Sequence, residues 1–265
     1  MVSIKKLLQI KNNYLKKNRY LSKFNFTKVK KSTPWFTLPC NKFLTLILNK
    51  KYKVFEYGSG SSTFFFASKC KKVFSCEYYE YFYKKLILLK NIHSNINFIH
   101  PKYSNFRINS HQKKKLLLAL KECKDIKYNI LKKDFLFQHG FINNTESAIS
   151  YSQQILKFKD KYFDVIIIDA QARELCLRLS ISKLKKNGFI IFDNSDRFEY
   201  KTQFKLLRKN NFYRIDFWGL ANYNNYETCT SIFFKNPFFL KYYNISYLKK
   251  YSPNIKFNKN KIYSQ

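Results

Sequence analysis

The stretch EYGSGSST, Glu56 to Thr63, decides how the rest of the chain is read. Only five glycines occur in 265 residues, and two of them, Gly58 and Gly60, stand one residue apart here. Glycine admits conformations and close approaches that a Cβ forbids, so a chain this short of it keeps it where a side chain is hardest to fit. KVFEY, 53 to 57, is a short apolar run entering the turn, and SSTFFFASK, 61 to 69, is long enough to leave it as a helix. A strand, a tight turn and a helix turn backbone N–H groups and a helix N-terminus toward a ligand.

The same alternation continues downstream. KVFSCE (72 to 77) reads as a strand, YFYKKLILLKN (81 to 91) as a helix and INFIH (96 to 100) as a strand, which completes the βαβαβ signature of a parallel sheet. Residues 101 to 150 are polar, Lys-rich and weakly periodic, and read as an irregular or partly helical insertion. YFDVIIID (162 to 169) is apolar enough to be a central strand. ELCLRLSISKLKK (174 to 186) then reads as a helix, FIIFD (189 to 193) as a strand and KTQFKLLRKN as a helix. YRIDFWG and TCTSIFF are two strands close enough to pair antiparallel. Upstream, Ser32-Thr33-Pro34 breaks a Lys-rich pattern, and FLTLIL (43 to 48) reads as the buried face of a helix. The expectation is an α/β, doubly wound, mostly parallel seven-stranded sheet over 33 to 235. A basic N-terminal extension, 1 to 32, and a basic C-terminal tail, 236 to 265, flank it.

Doubly wound sheets bind ligands beyond the carboxyl ends of their strands. Although the chain has only sixteen Asp and Glu, Glu56, Glu77, Asp169 and Asp193 each fall at a strand end, so the four line a single edge. Glu77 follows Glu56 by 77 − 56 = 21 residues, the spacing at which an acid accepts hydrogen bonds from ribose hydroxyls. The full dinucleotide fingerprint fails because Thr63 stands where a third glycine belongs, and no phosphate-binding Gly-Lys loop occurs. A nucleoside without a pyrophosphate fits best, and S-adenosylmethionine is such a ligand.

VFEYGSGSSTFFFA, then VFSCE, YFDVIIIDAQARELCL, LKKNGFIIFDNSDR and NYETCTSIFF, in that order, resemble the class I S-adenosylmethionine-dependent methyltransferases from about Trp35 to Phe234. The resemblance implies a Rossmann-like seven-stranded sheet with an antiparallel last strand. It implies cofactor contacts from Glu56, Gly58, Ser59 and Gly60, a ribose contact from Glu77, and Asp169 beside the transferred methyl. Asp169, Asp193 and Asn194 are also similar to the divalent-metal site of catechol-type O-methyltransferases, which implies magnesium. Those enzymes carry a lysine base three residues after the first acid, and here that position is Ala172. Asp169, Asp193 and Asp196 are the candidate bases for removing a proton from an acceptor hydroxyl.

The remaining groups are read more plainly. Arg173 and Arg197 are candidates for an anionic substrate or for surface ion pairs, and His93, His100, His111 and His139 for structural or solvated roles. Six dispersed cysteines without metal-ligand spacing read as reduced core residues, and the absence of a long apolar run implies a soluble cytoplasmic chain. A formal charge of +35 would fit a polyanion partner, yet the excess of Lys, Asn, Ile, Phe and Tyr is also what an AT-biased coding sequence yields. The expected reaction is O-methylation of a small-molecule or glycan-type acceptor. An RNA methyltransferase is the alternative, placed second because no aromatic-rich acceptor motif follows the fourth strand, where IDAQAR stands. A non-catalytic Rossmann-like partner subunit is the third reading, and it predicts a broken cofactor site.

Overall fold

The computed structural model describes residues 33–123, 145–222, 226–236, 255–258 and 261–264. The basic extension 1 to 32, His139 and most of the expected tail lie outside the described residues.

Seven strands form one sheet: β1 (Lys53–Tyr57), β2 (Lys72–Cys76), β3 (Ile96–Ile99), β4 (Phe163–Ile168), β5 (Leu184–Phe192), β6 (Tyr213–Leu220) and β7 (Glu227–Phe234). Their order is β3-β2-β1-β4-β5-β7-β6. Pairing from β3 through β5 is parallel, and β7 runs antiparallel to both β5 and β6. The direction of winding reverses between β1 and β4, and in doubly wound sheets ligands bind beyond the carboxyl ends of the strands at such a point.

The helices are α1 (Leu38–Ile47), α2 (Ser61–Lys69), α3 (Glu80–Ile87), α4 (Ser110–Glu122), α5 (Thr145–Ser152), α6 (Arg173–Ser180) and α7 (Lys201–Lys209). Alternate strand residues feed two cores. Val54, Val165, Ile167 and Ile191 pack with the α1 and α2 side, and Phe55, Ile166 and Ile190 pack with Leu175 and Leu177 of α6. A sheet buried on both faces needs apolar residues at consecutive positions, which is why β4 reads as an unbroken Val-Ile-Ile-Ile run.

Three expectations change. The helix read through 186 ends earlier, because Leu184 pairs with Phe163 and opens β5. Lys185 is accommodated there by an ion pair with Asp164 of the neighbouring strand, 2.8 Å away. Helix α1 starts at Leu38 with Pro39 in its first turn, where the missing N–H costs nothing. The Thr37 side chain before it donates to Phe217 O at 2.9 Å, and its N–H donates to Thr230 Oγ1 at 3.1 Å, which ties the helix to the far end of the sheet. The segment read as a basic tail contributes β8 (Ile255–Asn258) and β9 (Lys261–Ser264) as an antiparallel pair. The described part of the insertion is partly helical, with Asn109 and Gln112 capping α4 reciprocally. No helix among the described residues is long and apolar enough to cross a membrane.

Candidate functional site

Register alone builds the edge. Tyr57 pairs with Cys76 on one side and Ile168 on the other, and Ile168 pairs with Phe192. The next residues, Gly58, Glu77, Asp169 and Asp193, therefore form one row. Backbone hydrogen bonds carry the row past the strand ends: Gly58 N–H to Cys76 O at 2.9 Å, Asp169 N–H to Tyr57 O at 3.1 Å and Asp193 N–H to Ile168 O at 3.3 Å.

The two glycines of the turn have different causes. Gly58 has φ +92°, and a Cβ on it would stand 2.4 Å from Asp169 O, so both its backbone and its neighbours require glycine. Gly60 has φ 178°, an extended conformation open to any residue, and a Cβ there would meet no described atom within 4 Å. Among the described residues no atom's closeness demands glycine at position 60, which is the N-cap of α2, a position glycine suits. The space beside it is open.

Glu56 stands one residue below the row and is fully buried, so its expected cofactor contact is replaced by an internal one. Its carboxylate accepts hydrogen bonds from Thr63 Oγ1 and Ser75 Oγ, each at 2.5 Å, and a short one from Ser62 Oγ. Thr63 and Ser62 open α2, so the acid fixes the helix to the strand under the glycine turn. Burial pushes Glu56 up to about 7, against the pull of those three hydroxyls. The sequence reading missed this hydroxyl shell, although Ser62 and Thr63 in the first turn after an acidic strand end are its visible signal.

Glu77 is half-buried and grips the turn from the other side. Its Oε2 accepts Ser59 N–H at 3.0 Å and its Oε1 accepts Tyr79 N–H at 2.7 Å. Burial raises Glu77 to about 7, the backbone N–H groups of Tyr79, Ser59 and Tyr78 pull it back, and the Glu56 charge adds to the rise. Ser59 Oγ meets Ser75 Oγ at 2.6 Å, and Gly60 N–H donates to Thr63 Oγ1 at 3.0 Å, so both faces of the loop are held before any ligand arrives. Tyr78 and Tyr79, which follow Glu77, line one side of an open cleft of about 420 Å³ together with His100, Pro101 and the charged Glu80 and Lys102, with Glu146, Ser147 and Ser150 of α5 on the other. His100 bonds Tyr78 O at 2.9 Å, and Tyr78 Oη donates to Ser147 Oγ at 2.8 Å.

At the β4–β5 end the three expected metal ligands are brought together around a side chain. Arg173, at the start of α6 and buried, donates from Nη2 to Asp169 Oδ1 at 3.2 Å and to Asn194 Oδ1 at 3.1 Å. Its Nη1 makes a short bond to Asp193 O, its Nε reaches Ala170 O at 2.7 Å, and its guanidinium carbon lies 5.6 and 5.3 Å from the ring centroids of Phe192 and Tyr200. That arrangement does not fit magnesium: Asp169 Oδ1 and Asn194 Oδ1 already face a permanent cation, and the Asp193 carboxylate is turned to Thr230. Among the described residues no group of three His, Cys, Asp or Glu gathers in metal-binding geometry. The same contacts correct the reading of Arg173 as a residue for an anionic substrate, since the guanidinium is turned into the protein.

Asp193 is 4% exposed and accepts Thr230 Oγ1 at 2.5 Å. Burial and then the Asp169 charge raise its pKa, with Arg173 and Thr230 opposing. Asp196 is exposed, and its Oδ1 accepts Thr228 Oγ1 at 2.7 Å and Cys229 N–H at 2.9 Å, which pins the loop after β5 to β7. Its observed contacts are those of a loop anchor.

A parallel sheet in the order β3-β2-β1-β4-β5, closed by an antiparallel β7 between β5 and β6, carries a glycine turn after β1 and an acid after β2. The fold is that of the class I methyltransferases. Solved structures of similar arrangement include a precorrin-6y C5,15-methyltransferase from Geobacter metallireducens GS-15, at 10% identity and TM-score 0.45 over 75% of this chain and 88% of that one. A methyltransferase from Streptococcus mutans in complex with SAH is similar at 14% identity and TM-score 0.41, over 72% of this chain and 93% of that one. The tRNA (m1A58) methyltransferase of Aquifex aeolicus is similar at 13% identity and TM-score 0.41, over 78% and 73%. No family model and no curated protein matches the chain. At these identities the likeness is one of general arrangement, and the reading of function rests on the site itself.

Proposed function

We propose that the protein is an S-adenosylmethionine-dependent methyltransferase whose cofactor lies across the Gly58–Gly60 turn and Glu77. The observation that carries this reading is Gly60, whose Cβ position no described atom approaches, set beside the Glu77 carboxylate at the end of β2. Glu77 would take the two ribose hydroxyls at Oε1 and Oε2, and the cleft lined by Tyr78 and Pro101 would receive the base. Asp169 would stand at the methyl end of the row. The bound cofactor supplies an electrophilic methyl group on a positively charged sulfur.

For the acceptor we favour oxygen in a small-molecule or glycan-type substrate. A hydroxyl must lose its proton as it attacks, and a carboxylate whose pKa is raised toward neutrality is suited to receive it. Asp193 has that property and stands next to Asp169 in the row, so its carboxylate is the preferred proton acceptor, ahead of Asp169 and Asp196. An RNA acceptor is the second reading. It is favoured by Phe198, 76% exposed just after the β5 loop, with Lys201 Nζ 4.0 Å over its ring and exposed Arg197 beside it, a surface on which a base could stack.

Calorimetric titration of wild type and Glu77→Ala with S-adenosylmethionine tests the cofactor site. Binding by wild type and at least about tenfold weaker binding by the variant are expected, the loss of roughly one charged hydrogen bond. Equal binding by both would refute the ribose contact. Incubation with methyl-labelled cofactor and a cell extract, then separation of RNA from small molecules, distinguishes the acceptors by where the label appears.

A further inference from the structure

The contacts of Arg173 go beyond a missing metal. In metal-dependent methyl transfer to oxygen, a divalent cation would gather Asp169, Asp193 and Asn194 and lower the pKa of an acceptor hydroxyl. Here one guanidinium gathers Asp169 Oδ1, Asn194 Oδ1 and the Asp193 carbonyl from a single buried position, and its planar fork also holds Ala170 O. The backbone bends to allow this. Ala172, immediately before Arg173, has φ +51°, and Asn194 also has φ +51°. Left-handed conformations at non-glycine residues cost energy and persist where the surroundings enforce them. Both strained residues flank the same guanidinium.

We propose that Arg173 is a built-in cation in the seat a divalent metal would need, positioning Asp169 and Asn194 for the acceptor so that methyl transfer at this edge requires no metal. The proposal rests on the methyltransferase reading for its functional half, while its structural half concerns Arg173 and the three oxygen-bearing residues alone. A guanidinium stays protonated and has no open coordination site, so it orients and neutralises but neither ligates an acceptor oxygen nor accepts its proton. The proton therefore has to leave to a carboxylate, or the acceptor has to be nucleophilic without losing one first. Metal-chelating diols gain nothing from such a site.

The test uses Mn²⁺ as probe, followed by electron paramagnetic resonance, on wild type, Asp169→Asn, Arg173→Lys, Arg173→Ala and the double variant Arg173→Ala/Asp169→Asn, each first checked for folding by circular dichroism. Wild type and Arg173→Lys, which keep a cation in place, should show no Mn²⁺ site that Asp169→Asn removes. Arg173→Ala, with its oxygens uncovered, should bind Mn²⁺ about tenfold or more tightly than wild type, lose that site in the double variant and release the ion to millimolar guanidinium. A wild-type Mn²⁺ site lost in Asp169→Asn overturns the proposal. So does a folded Arg173→Ala that gains no site. Should Arg173→Ala not fold, the wild type decides through cofactor titration with excess chelator and with excess Mg²⁺: affinity equal within about twofold supports the proposal, and a metal-dependent affinity overturns it. Absence of cofactor binding under every condition would instead defeat the methyltransferase reading, leaving the Mn²⁺ result to judge Arg173.

Discussion

The carbonyl oxygen of Asp169 lies 2.4 Å from the point where a Cβ on Gly58 would stand. The turn after β1 is thus closed against the end of β4 by backbone, with no side chain able to move aside. Gly58→Ala should destabilise the fold by about 2–4 kcal/mol, combining overpacking with a left-handed backbone that alanine resists. Urea unfolding measures this, and a loss below about 1 kcal/mol would mean that the turn relaxes freely.

Gly60 should behave oppositely. Gly60→Val projects its side chain into space that no described atom fills, so it should lose only the N-cap preference for glycine, about 1 kcal/mol or less. Equilibrium unfolding of the two glycine variants side by side separates the glycine that packing requires from the one it does not. Equal destabilisation of both would remove that distinction.

Glu56 gives a pH dependence of unusual sign. Its folded pKa, raised from 4.5 to about 7, exceeds the unfolded value, so the folded state holds a proton that the unfolded state releases. The stability this group contributes is full below about pH 4.5 and is lost as pH rises through 7. Glu56→Gln keeps the shape and removes the titration. Its stability relative to wild type should rise between pH 5 and pH 8 by up to about 3 kcal/mol, and urea unfolding at the two pH values reads the difference. A pH-independent difference would show that Glu56 is ionised throughout.

Asp193 combines burial with the proximity of the Asp169 charge, so its ionised form is disfavoured in the folded state. Asp193→Asn removes that repulsion while leaving an oxygen for the Thr230 hydroxyl. At pH 8 the variant should unfold about 2–4 °C higher than wild type, and its cofactor affinity should change by less than about threefold. Once an acceptor is known, its turnover should fall about 100-fold or more, as for loss of a general base. A less stable variant with full turnover would assign Asp193 a purely structural role.

Much of this architecture was legible before any coordinates. β1 and α2 match the runs read at 53 to 57 and 61 to 69, because an apolar run broken by glycines is the plainest form that a strand, turn and helix take. The row Glu77, Asp169, Asp193 was legible because each acid follows a strong strand, and the parallel order β2-β1-β4-β5 then aligns their ends. Residues whose neighbours come from elsewhere in the sheet were not. Leu184–Lys186 have helix-forming composition, and only pairing with β4 makes them a strand. Glu56 looked like an edge residue until Ser75 of β2 and Ser62 and Thr63 of α2 closed over it. Arg173 was one arginine among many in a basic chain, and its meaning lies in contacts to Asp193 and Asn194, twenty and twenty-one residues away.

A nucleoside sulfonium seated against Gly60 and Glu77 would be displaced by a side chain at position 60. Titration calorimetry with S-adenosylmethionine and with its demethylated product, on wild type and on Gly60→Val, reads that displacement. Binding of both ligands to wild type, with at least about tenfold loss in a folded Gly60→Val protein, is expected. No binding to wild type, or equal binding to both proteins, would contradict it.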